Sequence, residues 1–422
     1  MQITNTDNNF SGKEIVFFLF LYLTLLISFF LGENSTGGAI LDYINQKKIS
    51  TAFVNDFEST LLNYGSFSTR HSPILIIFLS IFEKFGLSDE FIRIIHLHIC
   101  LLFPLFFYQT LKIKFSNLDY RIFIFLTGLI FLSPTFRTLA IWPDSRLLGV
   151  TFFTISVFFF LKFYEDKKFI YVILNIIFYT VSAYISPNFS VFSLFFFVSY
   201  LKIFGLLSLK LFIIILLNFL LSFPALFYVF ILKVDFINQG AAIGIDPDKN
   251  FIFINIFNSI LLTFSILFFY LIPFLITKII SISNILKMKN LILSSLIFLI
   301  CFFYFDYDYN ISGGGIFFKI SNFIFSNNSF FYCISFVSIF LIMPIILKNF
   351  ENFLIFSLII ISSPQYTIYH KYFDPFFLIA FFLLFKLNLN LNNILLKKHV
   401  IIIYIYFISF LFMNNIKFLW KT

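Results

Sequence analysis

Three polar stretches in an otherwise apolar chain hold the residue types that can do chemistry. The first, "GENSTGGAILDYINQKKISTAFVNDFESTLLNYGSFSTRHSP", offers Asp42, Asp56 and Glu58 ahead of Arg70 and His71. A carboxylate there can act as general base toward a hydroxyl or amine, because it needs only hydrogen-bond reach to the proton it removes. The second, "FRTLAIWPDSRLLGV", sets Arg137, Asp144 and Arg146 around a corner made by Trp142 and Pro143. Arginine presents a planar fork that fits phosphate oxygens; a snorkelling Arg pair with its own Asp counter-ion accounts for the same residues. The third, "SPQYTIYHKYFDPF", places His370, Lys371 and Asp374 among Tyr366, Tyr369 and Tyr372. Its cations can bind a phosphate, and its tyrosines can either stack on a sugar or mark a membrane interface.

The elements that must position these residues follow from composition. Hydrophobic residues make up 60% of the 422 positions and charged residues only 12%, and the mean hydropathy is +0.98. That excludes an ordinary water-soluble domain and demands many membrane spans. Runs such as "EIVFFLFLYLTLLISFFLG" lack the alternation of a barrel strand and are long enough to cross as helices. The 73 Phe residues, with abundant Ile, Asn and Lys, fit the bias of AT-rich coding, so no aromatic site follows from them. Cys100, Cys301 and Cys333 show no metal or disulfide spacing. The net charge of +9 is spread over short loops without a compact basic patch, which argues against a nucleic-acid partner.

The expected fold is an all-α polytopic membrane protein with eleven to thirteen transmembrane helices in a single domain over 1–422. Apolar runs place spans near 15–32, 92–110, 122–139, 145–163, 169–185, 189–204, 209–232, 251–277, 291–305, 330–347, 353–364, 373–387 and 399–413. The first reads as a retained span, since neither a strong basic n-region nor an A-x-A cleavage signal accompanies it. Segment 33–91 becomes a long first extracytoplasmic loop with short interfacial helices, among them "SPILIIFLSIFEKFG". With the N-terminus inside, more than half of the 29 Lys and Arg residues fall on the cytoplasmic face, as the positive-inside rule requires. The long loops all fall outside, so chemistry is expected there. Weaker signals are the Asp246/Asp248 and Asp306/Asp308 pairs and the run Gly313 to Gly315. His96 and His98 lie two apart and point to different faces of a helix.

The layout resembles the GT-C superfamily of integral-membrane glycosyltransferases, which take a sugar from a polyprenyl-phosphate carrier. Three stretches carry the resemblance. "TRHSPILIIFLSIFEKFG" is similar to that superfamily's "R-H-P-P-L" and short apolar helix, the "FRTLAIWPDSRLLGVTFFTISVFFFLKFY" turn and span has its counterpart there, and "YHKYFDPFFLIAFFLLF" looks like its late "R-Y-x-x-P" motif. Ser72 stands where a first proline is usual, Lys371 replaces the late arginine, and the Asp-Glu pair of protein mannosyltransferases is absent from the first loop.

The resemblance implies an inverting, mannosyltransferase-like hexosyl- or pentosyltransferase with its site on the periplasmic or outer face of a bacterial inner membrane. The catalytic acid then belongs in the first loop, with Asp42 the first choice and Asp56 or Glu58 next. Arg146, Lys371 and His370 would stabilise the departing lipid phosphate, with Arg70, His71, Arg137 and Asp144 beside the same donor. The implied partners are the polyprenyl-phosphate-linked sugar, membrane lipid, and a glycan, lipid or protein acceptor of envelope glycan biosynthesis. Some members use a divalent metal and others do not, so no metal ligand is assigned. A lipid-linked-sugar flippase or transporter, which usually shows internal repeats, and a polysaccharide polymerase are the competing readings.

Overall fold

A backbone in lipid must satisfy its own N–H and C=O groups, and apolar runs of this length therefore close into helices. The computed structural model describes residues 12–67, 69, 71–233, 252–280, 288–308, 313–363 and 365–419. Among them the secondary structure is helical, with one isolated bridge between Ile280 and Leu389 and no strand. The first helix is α1 (Gly12–Phe30), whose apolar stretch is shorter than the helices that can cross a membrane. It leads into three helices of the first loop, α2 (Ala39–Asn55), α3 (Phe57–Leu62) and α4 (Pro73–Lys84). There follow α5 (Asp89–Cys100), α6 (Leu102–Lys114), α7 (Tyr120–Gly128), α8 (Pro134–Ile141), α9 (Ser145–Asp166), α10 (Phe169–Ile185), α11 (Ser193–Phe204) and α12 (Leu209–Leu226). The remainder comprises α13 (Ile252–Ile276), α14 (Met288–Phe303), α15 (Gly315–Phe325), α16 (Ser329–Ile346), α17 (Phe350–Ile361), α18 (Phe376–Leu378) and α19 (Lys397–Leu419).

Seven helices among the described residues are long and apolar enough to cross a membrane, α5 and α6 counting as one segment, Asp89–Lys114. The pair Tyr120–Leu132 and Pro134–Ile141 is long and apolar enough only when taken together and is bent by 63°, the shape of a broken span or a re-entrant loop; five shorter apolar helices accompany them. The chain is an all-α polytopic membrane protein. Two expectations shift. The run near 373–387 forms only α18 and a π-helical turn, Ile379–Leu384, whose side chains are all buried inside the bundle. Hydropathy alone cannot tell such a core segment from a lipid-facing one. Conversely, residues 315–325, expected in a loop, form α15, an apolar helix too short to read as a span.

One continuous buried cluster runs from Leu21 to Phe410 and joins most of the helices. The bend between α7 and α8 has a local cause. Pro134 begins α8 and Ser133 caps it, its hydroxyl accepting from Phe136 N–H at 2.9 Å. Asp374 reinforces this end, accepting from Ser133 Oγ at 2.7 Å and from Thr135 N–H at 3.2 Å. The third polar stretch is thereby fastened to the helix that leads into the second. α9 and α10 approach closely at Gly149, where a Cβ would come within 2.6 Å of Ser186 Cβ; Ser182 Oγ donates to the Gly149 carbonyl at 2.7 Å. This contact brings the turn after α10 to the start of α9.

Candidate functional site

Asp42 lies in the first turn of α2, and the polar face of the first loop fixes that helix. Asn34 Oδ1 accepts from Ala39 N–H at 3.2 Å at its start. Further along, Tyr43 OH donates to Asp89, and Lys47 forms an ion pair with the same carboxylate. Ser50 and Thr51 donate to Glu83 at 3.0 and 2.8 Å. Burial, with the Asp89 carboxylate beside it, pushes the Tyr43 phenol well above its usual range, so Tyr43 acts as a donor. Its ring lies 5.9 Å from that of Trp142, over which the Arg93 guanidinium sits at 3.5 Å. Trp142 Nε1 in turn donates to the Glu33 carbonyl at 3.0 Å. The first loop is thus tied to the corner that carries Asp144 and Arg146.

That corner opens α9. Asp144 is buried and caps the helix, accepting from Arg146 N–H at 2.7 Å. An Asp cap satisfies one free N–H and adds a negative charge, so the attraction of this helix end for an anion is largely used up. Positive charge at the site therefore comes from side chains. The Arg146 guanidinium stacks on the Tyr372 ring at 3.8 Å. Lys371 Nζ lies 3.0 Å from Asp42 Oδ2. His71 Nδ1 shares a hydrogen bond of 3.2 Å with Ser145 Oγ, and Tyr64 OH holds the His71 carbonyl at 2.9 Å.

These groups surround one cavity of about 150 Å³, lined by Asp42, His71, Asp144, Ser145, Arg146, Lys371, Tyr369 and Tyr372, with Ser186, Pro187, Asn188 and Gln365 completing the wall. The Lys371 ammonium is pushed down by burial, but Asp42 first and Asp144 second outweigh this and hold it above the ordinary lysine value. The Asp42 side chain keeps 37% of its exposure and that of Lys371 24%. A part-buried ion pair of this kind is worth less than a sealed one, and its lysine can move aside for a stronger ligand without leaving a charge cut off from water.

Seven of the residues singled out from the sequence meet here: Asp42, His71, Asp144, Arg146, Tyr369, Lys371 and Tyr372. Besides Asp374, held at the start of α8, four others lie elsewhere, each for a visible reason. Arg137 turns into the bundle, where its Nε donates to Glu33 Oε2 at 2.9 Å and its Nη2 reaches the Thr24 carbonyl and Ser28. It ties α8 to α1 and is almost fully buried. Asp56 is exposed and caps α3 by accepting from Ser59 N–H at 3.0 Å, and Glu58 is exposed on the first turn of that helix. His370 accepts from Ile316 N–H at Nε2, at 2.8 Å, and shares a hydrogen bond of 3.1 Å with Tyr270 OH at Nδ1. It thereby joins α13 to the start of α15. Arg70, Asp246 and Asp248 lie outside the described residues.

The glycine run is explained by a close approach. Gly314 N–H donates to the Ile368 carbonyl at 2.8 Å, and a Cβ on Gly313 would come within 2.6 Å of that oxygen. Asp306 accepts from Asn258 Nδ2 at 2.7 Å. His96 faces the Ala140 carbonyl and His98 the Tyr22 hydroxyl, two different sides of α5. Among the described residues no three His, Cys, Asp or Glu side chains gather as they would around a metal ion.

Sequence reasoning passed over Ser186 and Asn188. Their signal is the uncharged "SPN" break between two apolar runs, which the alternation of spans puts on the same face as the other three stretches. No protein-family model, curated protein or solved structure matches the chain.

Proposed function

We propose that the chain is a glycosyltransferase that moves a sugar from a polyprenyl-phosphate carrier to an acceptor outside the cytoplasm. The observation that carries this reading is the convergence, in one cavity, of a first-loop carboxylate, Asp42, with the cations Arg146 and Lys371 from two distant turns. A general base beside two phosphate-binding cations is what an inverting displacement needs. The acceptor oxygen forms a bond to the anomeric carbon, its proton passes to Asp42, and the bond to the carrier phosphate breaks. Charge develops on that phosphate as it leaves, where Arg146 and Lys371 stabilise it most. Tyr369 supplies an apolar ring for the sugar, while Tyr372 carries the Arg146 guanidinium. The membrane of residence is a bacterial inner membrane with the cavity on its outer side.

Mass spectrometry of envelope glycans and lipid-linked sugars from cells lacking the chain tests the reading. Loss of one defined sugar residue is the expected result. An accumulated lipid-linked precursor that fails to cross the membrane contradicts it and points to a flippase.

A further inference from the structure

The two groups given complementary tasks above are bound to each other: Lys371 Nζ is 3.0 Å from Asp42 Oδ2. The ammonium takes one of the two carboxylate oxygens, Oδ2, and crowds the approach of an acceptor hydroxyl to the acid. Three features let this cover move. The pair is partly open to solvent on both sides. Lysine carries its charge on a flexible four-carbon stem, whereas the neighbouring cation Arg146 is stacked on Tyr372, the residue next to Lys371. The other acid of the cavity, Asp144, already accepts the Arg146 backbone N–H as helix cap.

We propose that Lys371 is an exchangeable guard on Asp42: a phosphate entering the cavity draws the ammonium off Oδ2, and both oxygens of Asp42 are open to an acceptor proton once the anion is seated. This rests on the transferase reading above. It favours an order, in which an acceptor that arrives first meets a base with one oxygen taken and the donor phosphate releases it.

The exchange makes a quantitative demand, since the anion must break the Asp42–Lys371 pair in order to bind. Binding of farnesyl phosphate and, separately, of inorganic phosphate to the full-length purified chain in nanodiscs reads it directly. The variants are Asp42→Asn, Lys371→Met and the double substitution, with Lys371→Gln as a second test of the lysine and size-exclusion profiles confirming folded protein. Asp42→Asn is expected to tighten binding about five-fold or more when Lys371 is present and less than about two-fold when it is replaced, the difference being the coupling between the two residues. Coupling with both probes supports exchange driven by phosphate alone, and coupling with farnesyl phosphate only supports exchange driven by a lipid phosphate. Equal tightening in both backgrounds overturns the guard and leaves the transferase reading standing, because it reports only the removal of a negative charge. Absence of saturable binding of either probe to every form overturns both.

Discussion

Lys371 and Asp42 are 329 positions apart in the chain and 3.0 Å apart in the fold. Neither the first loop nor the last polar turn holds a complete site. The cavity exists because α8, capped by Ser133 and held there by Asp374 at one end and leading to Asp144 and Arg146 at the other, fastens the late turn beside the first loop.

The pair has a chemical signature. Burial lowers the affinity of Lys371 for its proton, but Asp42 and Asp144 more than restore it, so the ammonium persists above the ordinary lysine range. At pH 9 an amine-acylating reagent should therefore modify Lys371 more slowly than the exposed Lys48 and Lys210. Asp42→Asn should speed its modification several-fold as the supporting charge is lost, as read by peptide mass spectrometry. Unchanged reactivity in the variant would show that the pair does not persist in solution.

Arg146 should be sensitive to shape as well as charge. Its planar guanidinium lies on Tyr372, a stacking that lysine reproduces poorly. Arg146→Lys and Tyr372→Leu should each raise the donor KM about five- to ten-fold with a smaller change in kcat. Full activity of Arg146→Lys would reduce Arg146 to a snorkelling charge.

Arg137 makes the opposite prediction. Its partner Glu33 is buried with it, so Arg137→Met should destabilise the protein by about 3–5 kcal/mol by leaving an unpaired carboxylate behind. Thermal unfolding in detergent should show the loss, and the double substitution Arg137→Met with Glu33→Gln should recover much of it. Intact stability together with lost transfer would place Arg137 in the chemistry instead.

The contrast between Arg137 and Arg146 shows how far the sequence can be read. Charged residues stand out against 60% hydrophobic composition, so the three polar stretches are legible without a structure. Whether a given arginine faces a cavity or the bundle depends on partners such as Glu33, 104 positions away, and no local spacing encodes that. Asp56 is the next candidate after Asp42 in the sequence, and only the fold shows its side chain capping α3 outside the cavity. Ser186 and Asn188 escape notice because uncharged breaks between spans are common. Among the helices, α15 is hidden because it is short and follows a glycine run, and the segment 376–384 reads as a span because its apolar residues face other helices instead of lipid.

Sidedness is open to a direct check. In a Cys333→Ser background, which removes the exposed native cysteine, Asn45→Cys on α2 should react with an impermeant maleimide from outside. Lys210→Cys at the start of α12 should react only after permeabilisation. Labelling of the two in the reverse order would turn the cavity toward the cytoplasm and exclude an outer-face acceptor.

The central claim is that Asp42 takes the acceptor proton. The most direct measurement is sugar transfer by the purified protein, in saturating polyprenyl-phosphate-linked donor, for Asp42→Asn beside Asp56→Asn and Glu58→Gln. Asp42→Asn keeps the size of the side chain and removes the base, so kcat should fall by about 10²- to 10⁴-fold while the protein remains folded. Asp56→Asn and Glu58→Gln should stay within about two-fold of the parent, since those side chains lie outside the cavity and surface changes of this kind have small effects. Near-parent transfer by Asp42→Asn, or a loss confined to Asp56 or Glu58, would contradict the assignment.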